Sequence, residues 1–232
     1  MDWRQRLCII NSCVNKKMKD NRKVRRVQNN QSIIYQSCKR VMDIVFSFIG
    51  LVVLSPLFLV IAFLIWKEDG APVIFIQERN GINNSVFKMY KFRSMIKNAP
   101  NMRKSMEKMN ELDGPAFKVK KDPRVTKIGA FIRRTSIDEL PQLLNVLIGN
   151  MSLVGPRPLP TYETVKCNDY QRQRLLVKPG ITCYWQISGR NDISFDEWIE
   201  MDLNYIEEAS LFTDIKILLK TAKAVLRGKG AY

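Results

Sequence analysis

Residues 44–66 read IVFSFIGLVVLSPLFLVIAFLIW, a run of 23 residues without a charged side chain. At the rise of an α-helix this run is ~35 Å long, enough to cross the hydrocarbon core of a bilayer. No small-residue cleavage site separates it from the following Lys67-Glu68-Asp69, so it is not typical of a secretory signal peptide. The run therefore predicts a membrane-inserted helix that remains in the mature protein.

Two features concern the path of this helix through the membrane. Lys and Arg flank the run on both sides, whereas a single span concentrates them on one side. Near the middle, Ser55-Pro56 interrupts the run, and proline removes a backbone donor and bends a helix. Both features favour a re-entrant hairpin with both ends cytoplasmic. A kinked transmembrane helix also tolerates proline, so composition alone leaves both arrangements open.

Charged residues stand at the entry of the apolar run. Asp43 is costly in hydrocarbon unless it is paired, and Lys39 and Arg40 lie four and three residues earlier on the same helical face. The spacing predicts a charge cluster at the level of the lipid headgroups.

The overall composition excludes several mechanisms. The 232 residues include 38 Lys and Arg, 22 Asp and Glu and 46% apolar residues, with a net charge of +16, which predicts a folded chain with a polyanionic partner. The chain has no histidine, so it has no imidazole base, His-containing triad or His-ligated zinc. Its five cysteines are scattered, which indicates reduced thiols facing a cytosol.

After the apolar run the pattern becomes mixed. Residues 73–95 contain two β-like runs joined by turn residues at Asn80-Gly81, which predicts a small hairpin. Lys91 and Arg93 alternate with aromatic residues there, either as a phosphate-binding edge or as a solvated strand face. The last predicted helix, from Asp214 to Arg227, is amphipathic and suits a membrane interface or packing on the core equally well.

The densest signal for chemistry lies between residues 133 and 158. Residues 136–139 read SIDE, the form of a capping box at a helix N-terminus. Arg133 precedes the carboxylates of Asp138 and Glu139, and Arg157 follows them between two prolines. Guanidinium groups bind phosphate oxygens in a bidentate manner, so these groups could support phosphoryl transfer. An acidic helix cap followed by a proline-rich loop is the structural alternative.

Two further polar segments follow. Gly189, Arg190 and Asn191 lie in a polar loop that could hold a nucleotide or a sugar. Ser194 to Glu197 form a second capping box, which predicts the start of another helix.

Six motifs occur in a fixed order along the chain: Lys39-Arg40-x-x-Asp43, the apolar run with Ser55-Pro56, Lys91-Phe92-Arg93-Ser94-Met95, Thr135-Ser136-Ile137-Asp138-Glu139-Leu140-Pro141-Gln142, Gly155-Pro156-Arg157-Pro158 and Lys178-Pro179-Gly180-Ile181-Thr182. Together they resemble the bacterial sugar transferases, the monotopic phosphoglycosyl transferases. The chain is similar in particular to undecaprenyl-phosphate galactose and glucose phosphotransferases in their short, catalytic-only form. Cys183 and Tyr184 depart from the common pattern of this family.

The resemblance implies an α+β, mostly helical monotopic membrane protein. Its expected parts are a basic N-terminal tail (residues 1–38), a re-entrant helix broken at Ser55-Pro56 (residues 39–66) and a catalytic domain with a small β-hairpin and interfacial amphipathic helices (residues 67–232). The implied location is the inner membrane, with the catalytic domain on the cytoplasmic face. The expected partners include anionic lipids and a second copy of the chain in a homodimer, but no nucleic acid.

The resemblance also implies a Mg²⁺-dependent reaction in two steps. Asp138 attacks the sugar-bearing phosphorus of a UDP-sugar, with galactose favoured, and UMP leaves. Undecaprenyl phosphate then accepts the phosphosugar, which begins a capsule, exopolysaccharide or O-antigen. In this scheme Asp138 and Glu139 hold Mg²⁺ or Glu139 assists proton transfer. Arg133 and Arg157 match family positions that contact phosphate, and Lys91 and Arg93 are the further candidates for binding substrate phosphate.

Two other functions are weighed against this one. A glycosyltransferase would release UDP rather than UMP, but the chain has no Asp-x-Asp motif to hold a metal diphosphate. A basic membrane adaptor or nucleic-acid binder would show salt-dependent binding without nucleotide release, but no known nucleic-acid-binding signature supports it.

Overall fold

The computed structural model describes residues 26–29, 31–102, 106, 119, 122–188 and 193–226. Its helices are α1 (Ile33–Asp69), α2 (Lys127–Arg134), α3 (Gln142–Ile148), α4 (Thr161–Thr164), α5 (Asp169–Arg172), α6 (Tyr184–Ile187), α7 (Phe195–Glu208) and α8 (Leu211–Leu226). The strands are β1 (Ile74–Asn80), β2 (Val86–Phe92), β3 (Ser152–Val154) and β4 (Gly180–Thr182), and 3₁₀ turns cover Ile82–Asn84, Ile137–Glu139 and Gln173–Leu176. The predicted mostly helical fold with small sheets is confirmed.

Helix α1 contains the apolar run and is long and apolar enough to cross a membrane, by length and composition. It begins at Ile33, earlier than the predicted residue 39, because the Ser32 side chain accepts a hydrogen bond from the backbone of Tyr35 at 3.2 Å. It ends where Gly70 adopts a φ of 68° and donates its N–H to the Trp66 carbonyl. Only 11% of its most apolar 18-residue window is buried, so α1 is not an enclosed core helix.

The predicted break lies within this continuous helix. Pro56 is an internal residue of α1, and the Ser55 hydroxyl donates to the Val52 carbonyl at 2.8 Å. Serine therefore satisfies one of the carbonyls near the proline. The re-entrant path itself remains a prediction.

A buried carboxylate joins the start of α1 to the last helix. Asp214 in α8 is fully buried and accepts hydrogen bonds from Tyr35 at 2.9 Å, Lys39 at 2.7 Å and Tyr205 at 2.8 Å. One carboxylate thus joins α1 to α7 and α8, two consecutive helices that are distant from α1 in sequence. We call Asp214, Tyr35, Lys39 and Tyr205 the α1 lock.

The neighbouring charged residues of α1 also face the domain that follows it, which we call the C-terminal domain. Asp43 accepts from the Ser152 hydroxyl at 3.1 Å and the Leu153 N–H at 2.9 Å. Arg40 donates to the carbonyls of Val146 and Leu147, at the C-terminal end of α3. Each member of the predicted headgroup cluster, Lys39, Arg40 and Asp43, thus binds a different part of the C-terminal domain, and its position at the level of the lipid headgroups remains a prediction.

We expect Asp214→Asn to weaken the attachment of α1 to the C-terminal domain. The substitution leaves Lys39 buried without its counter-charge, which costs about 3 kcal/mol. Thermal unfolding in detergent should show a midpoint that is lower by several degrees, and limited proteolysis should become faster. Lys216→Gln, on the exposed side of the same helix, is the matched control. Equal midpoints for the two variants would contradict a locking role for Asp214.

The second half of α1 packs on the predicted hairpin. β1 and β2 are antiparallel, with Ile74 opposite Phe92, and the turn between them contains Asn83 and Asn84 at positive φ, which asparagine tolerates well. Ile61 and Ile65 of α1 form an apolar cluster with Phe92. The hairpin prediction is confirmed, and the hairpin supports the membrane helix from one side.

A second sheet was not predicted. β3 and β4 are three residues each and pair in parallel. Gly155 directly follows β3 and lies close to the backbone of Lys178: a Cβ added to Gly155 would be 2.4 Å from the Lys178 carbonyl oxygen. The sheet therefore brings the Gly155-Pro156-Arg157-Pro158 loop against the Lys178-Pro179-Gly180 turn.

Helix α8 is the amphipathic helix for which the sequence left open packing on the core or contact with a membrane interface. It begins at Leu211 rather than Asp214, and Ile217 is fully buried in the main core. Its other side exposes Phe212 and Leu219, at 77% and 67% of their surface. Packing on the core is confirmed, and contact of the opposite face with a membrane remains a prediction.

Candidate active site

The SIDE segment folds as a 3₁₀ turn rather than as a capped helix start. Ser136 lies in the left-handed region at φ 58° and its side chain makes no capping hydrogen bond, so the predicted capping box is wrong. This backbone conformation costs a non-glycine residue of the order of 1 kcal/mol. As a result, the Glu139 side chain is not used as a cap.

Glu139 instead lies within a cationic cluster. Its Oε1 accepts from Lys91 Nζ at 2.8 Å and from Arg157 Nη2, and its Oε2 accepts from Arg157 Nη1 at 3.2 Å and from Gln186 Nε2 at 3.5 Å. Burial alone would raise the pKa of Glu139, but Arg157 and Lys91 together hold this pKa far below its usual range. Glu139 is therefore a permanent anion that fixes the two cations.

Asp138 has the opposite electrostatic character. It is 8% exposed, and burial raises its pKa to about 6, with the Glu139 charge adding to the rise and Lys91 opposing it. Two adjacent carboxylates thus have pKa values that are pushed apart, a pattern that assigns different chemical roles to neighbouring acids. Asp138 is the carboxylate whose ionisation changes near neutral pH.

Of the four predicted phosphate-binding cations, three belong to this cluster. Lys91 and Arg157 contact Glu139 directly. Arg133 donates from Nε to the Ser94 hydroxyl at 2.9 Å, and its charge lowers the pKa of Asp138. These cations outnumber the two carboxylates, so the cluster attracts an anionic ligand.

Arg93 lies elsewhere. Its guanidinium donates to the Gly70 carbonyl at 2.6 Å and the Asp69 carbonyl at 3.1 Å, and it contacts the Asp69 carboxylate at 3.2 Å. It therefore stabilises the C-terminal end of α1. The structure corrects its grouping with Lys91, because Arg93 directly follows β2, which carries Lys91, and the two side chains bind different elements.

Two side chains near the cluster were not predicted. Arg79 Nη1 donates to the Pro158 carbonyl at 2.8 Å, which anchors the loop that carries Arg157. Trp185 lies under the Arg157 guanidinium at 5.8 Å from the ring centroid. No local pattern in the sequence connects either residue to Arg157. The predicted nucleotide or sugar residues, Gly189, Arg190 and Asn191, lie outside the described residues.

The side chains of the site limit how a metal ion could be bound. Among the described residues, no group of three or more His, Cys, Asp or Glu side chains could hold a metal ion. Mg²⁺ is commonly bound by one or two carboxylates together with substrate phosphates and water. Asp138 fits such a site, whereas both oxygens of Glu139 are already engaged by cations.

Comparison with known proteins gives one family match and several relatives. The bacterial sugar transferase family matches residues 34–228. The chain is 51% identical over 196 residues to the galactosyl transferase CpsE of Streptococcus agalactiae, and 43% identical over 212 residues to an undecaprenyl-phosphate galactose phosphotransferase of Salmonella typhimurium. These matches cover 83% and 89% of this chain but only 43% and 44% of the relatives.

A shorter relative matches over most of its length. The exopolysaccharide production protein ExoY of Rhizobium meliloti is 39% identical over 198 residues, which covers 84% of this chain and 88% of that protein. The chain therefore spans less than half of the two longer relatives and corresponds to most of the shorter one.

Proposed function

The chain belongs to the bacterial sugar transferase family, and on that premise we propose that it transfers a hexose-1-phosphate from a UDP-sugar to undecaprenyl phosphate. The observation that carries this proposal is the pair Asp138 and Glu139, in which one carboxylate is fixed by cations and the other is held near its ionisation point. The name of the Salmonella relative, an undecaprenyl-phosphate galactose phosphotransferase, supports undecaprenyl phosphate as acceptor and galactose as the favoured sugar.

The proposed chemistry has two displacements. The ionised Asp138 carboxylate forms a bond to the sugar-bearing phosphorus, and the bond from that phosphorus to the UMP oxygen breaks. An oxygen of undecaprenyl phosphate then attacks the same phosphorus and releases Asp138. The sugar is left on an undecaprenyl diphosphate. A carboxylate nucleophile suits a chain without histidine.

The cationic cluster has a distinct role in this scheme. Arg157 and Arg133 neutralise the substrate phosphates, and Glu139, which is itself paired with Lys91, holds Arg157 in place. Asp138, with the substrate phosphates, would hold Mg²⁺, which supplies further charge neutralisation when it is bound.

The contacts of α1 support a monotopic arrangement. Lys39, near its start, pairs with Asp214, and Asp69, at its end, pairs with Arg93. Both partners belong to the C-terminal domain, which cannot lie on both sides of a bilayer. We therefore propose that α1 enters and leaves the same leaflet around Ser55-Pro56, with the C-terminal domain at the cytoplasmic face of the inner membrane and its basic surface near anionic lipids.

The rate of the first displacement should depend on pH. Because Asp138 attacks only as the anion and its pKa is about 6, kcat/KM for the donor should fall below pH 6, approaching tenfold per pH unit. UMP release in a single turnover without acceptor, measured from pH 5 to 8, isolates this step from the ionisation of the lipid phosphate. A rate that is unchanged down to pH 5 would contradict Asp138 as the titrating nucleophile.

The experiment that tests the function measures nucleotide release. Protein in nanodiscs is supplied with Mg²⁺, undecaprenyl phosphate and one UDP-sugar at a time from a panel that includes galactose, glucose and the N-acetylated hexoses. Release of UMP with one sugar supports the proposal and identifies the donor. Release of UDP would indicate a glycosyltransferase, and no release from any donor would contradict the proposal.

A further inference from the structure

Four side chains behind the candidate active site form a closed stack. The Arg157 guanidinium lies 5.8 Å from the Trp185 ring, which stacks on Trp198 at 4.7 Å with an angle of 17°. The Arg174 guanidinium lies 5.1 Å from the other ring of this pair, Trp198. Arg174 Nη2 also donates to the backbone carbonyl of Arg157 at 2.6 Å, which closes the set of contacts. We call these four residues the arginine–tryptophan stack.

The carboxylate of Asp202 contacts this stack through Arg174. Asp202 in α7 lies 2.6 Å from Arg174 Nη2, and the two side chains are 1% and 3% exposed. One nitrogen of Arg174 thus bridges the Asp202 carboxylate and the Arg157 carbonyl. The Arg174–Asp202 ion pair is enclosed by protein, so solvent ions screen it only weakly.

The bridge formed by Arg174 anchors the loop that carries Arg157. Arg157 has proline on both sides, and proline has no N–H to anchor a loop. The loop is held instead through its carbonyls, with Arg174 on Arg157 and Arg79 on Pro158. The backbone of Arg157 and its guanidinium are therefore fixed by one continuous set of contacts.

We propose that Arg174, held by Asp202 and Trp198, is a positioning residue that fixes Arg157 against Glu139 and thereby aligns the cationic cluster with the substrate phosphates. Its consequence for turnover rests on the proposed function. Arg174 contacts neither Asp138 nor Glu139 in any described hydrogen bond, so it acts through Arg157.

The test replaces Arg174 with Lys. Lysine keeps the positive charge beside Asp202 but is shorter and lacks the planar group that stacks on Trp198. We expect kcat to fall about tenfold, as for other residues that orient a functional side chain without contacting the ligand. The KM for the donor should change less than threefold. Arg172→Lys is the matched control: Arg172 also donates to backbone carbonyls, those of Cys167 and Val165, and this substitution should change kcat less than twofold.

A double-substitution cycle separates positioning from general destabilisation. If Arg174 acts through Arg157, Arg174→Lys should cause no further loss of kcat when Arg157 is already Met. An additional tenfold loss in that background would overturn the inference. So would an Arg174→Lys variant with the kcat of the unchanged chain.

A measurement without turnover keeps this inference distinct from the proposed function. Phenylglyoxal labels accessible guanidinium groups, and mass spectrometry locates the adduct. Labelling of Arg157 should become several-fold faster in Arg174→Lys and stay unchanged in Arg172→Lys. Equal labelling in both would overturn the positioning role. A chain that releases no UMP but shows the expected labelling would contradict only the proposed function.

Discussion

Replacing Asp138 with Asn should abolish transfer of the sugar phosphate while leaving the protein folded. The amide cannot form the acyl-phosphate bond, so UMP release should fall by roughly a thousandfold or more. The nanodisc assay with the preferred donor measures this loss directly. Full turnover by Asp138→Asn would show that the nucleophile is another group.

The stability of this variant provides the internal check. The pKa of Asp138 is raised to about 6, so above that pH the carboxylate is ionised in both states and destabilises the folded state relative to the unfolded one. Removing the charge should therefore leave the free energy of unfolding at pH 7.5 unchanged or higher, by up to about 3 kcal/mol. Asp169→Asn, at an exposed position of α5, is the control and should keep both activity and stability. An unfolded Asp138→Asn variant would contradict the electrostatic assignment.

Replacing Glu139 with Gln should damage both activity and stability. The substitution leaves Lys91 and Arg157 without the carboxylate that both contact. Breaking a buried ion pair from one side costs about 3–5 kcal/mol, which corresponds to a thermal midpoint lower by roughly 10 °C for a chain of this size. Turnover should fall by about a hundredfold, because the Arg157 guanidinium that is proposed to bind the substrate phosphates is no longer fixed.

The sign of the pH dependence follows from the lowered pKa of Glu139. Stabilisation by an acid with a lowered folded pKa is present above its unfolded pKa of about 4.3 and is lost only as the pH falls through the folded value. The deficit of Glu139→Gln should therefore be constant from pH 6 to 8. Glu78→Gln, on the exposed side of β1, is the matched control. A Glu139→Gln variant as stable as that control would contradict the ionic cluster.

The two neighbouring carboxylates thus have opposite predicted effects on stability. Both acids are in the same 3₁₀ turn, yet Glu139 has cationic partners within hydrogen-bond distance and Asp138 has a raised pKa. Ionisation of Asp138, the candidate nucleophile, destabilises the folded protein. The ion pairs of Glu139 offset this destabilisation. Measuring both variants side by side separates catalytic from structural roles within one dipeptide.

The candidate site was largely identifiable from sequence, but its internal geometry was not. Asp138, Glu139, Lys91 and Arg157 were predicted as functional residues, and the structure brings them together. The capping-box prediction failed because Ser136 adopts a left-handed conformation, which a local motif does not reveal.

Arg93 shows a different limit of local patterns. It is in the same short motif as Lys91, two residues further along the chain and directly after β2. It nevertheless binds the end of α1 rather than Glu139. A long side chain is directed by the nearest strong acceptor, and the position of that acceptor is set by packing.

What the sequence determined by itself was local. The uncharged run of residues 44–66 produces a membrane-compatible helix because composition alone sets its hydropathy, and the asparagine-rich turn produces the hairpin because it tolerates positive φ. Only the tertiary structure decided that Asp214 binds Lys39, 175 residues away, that Glu139 binds Lys91, 48 residues away, and that Arg174 holds Arg157. These pairings depend on which surfaces the folded core brings together, because a buried charge takes the partner that burial places beside it.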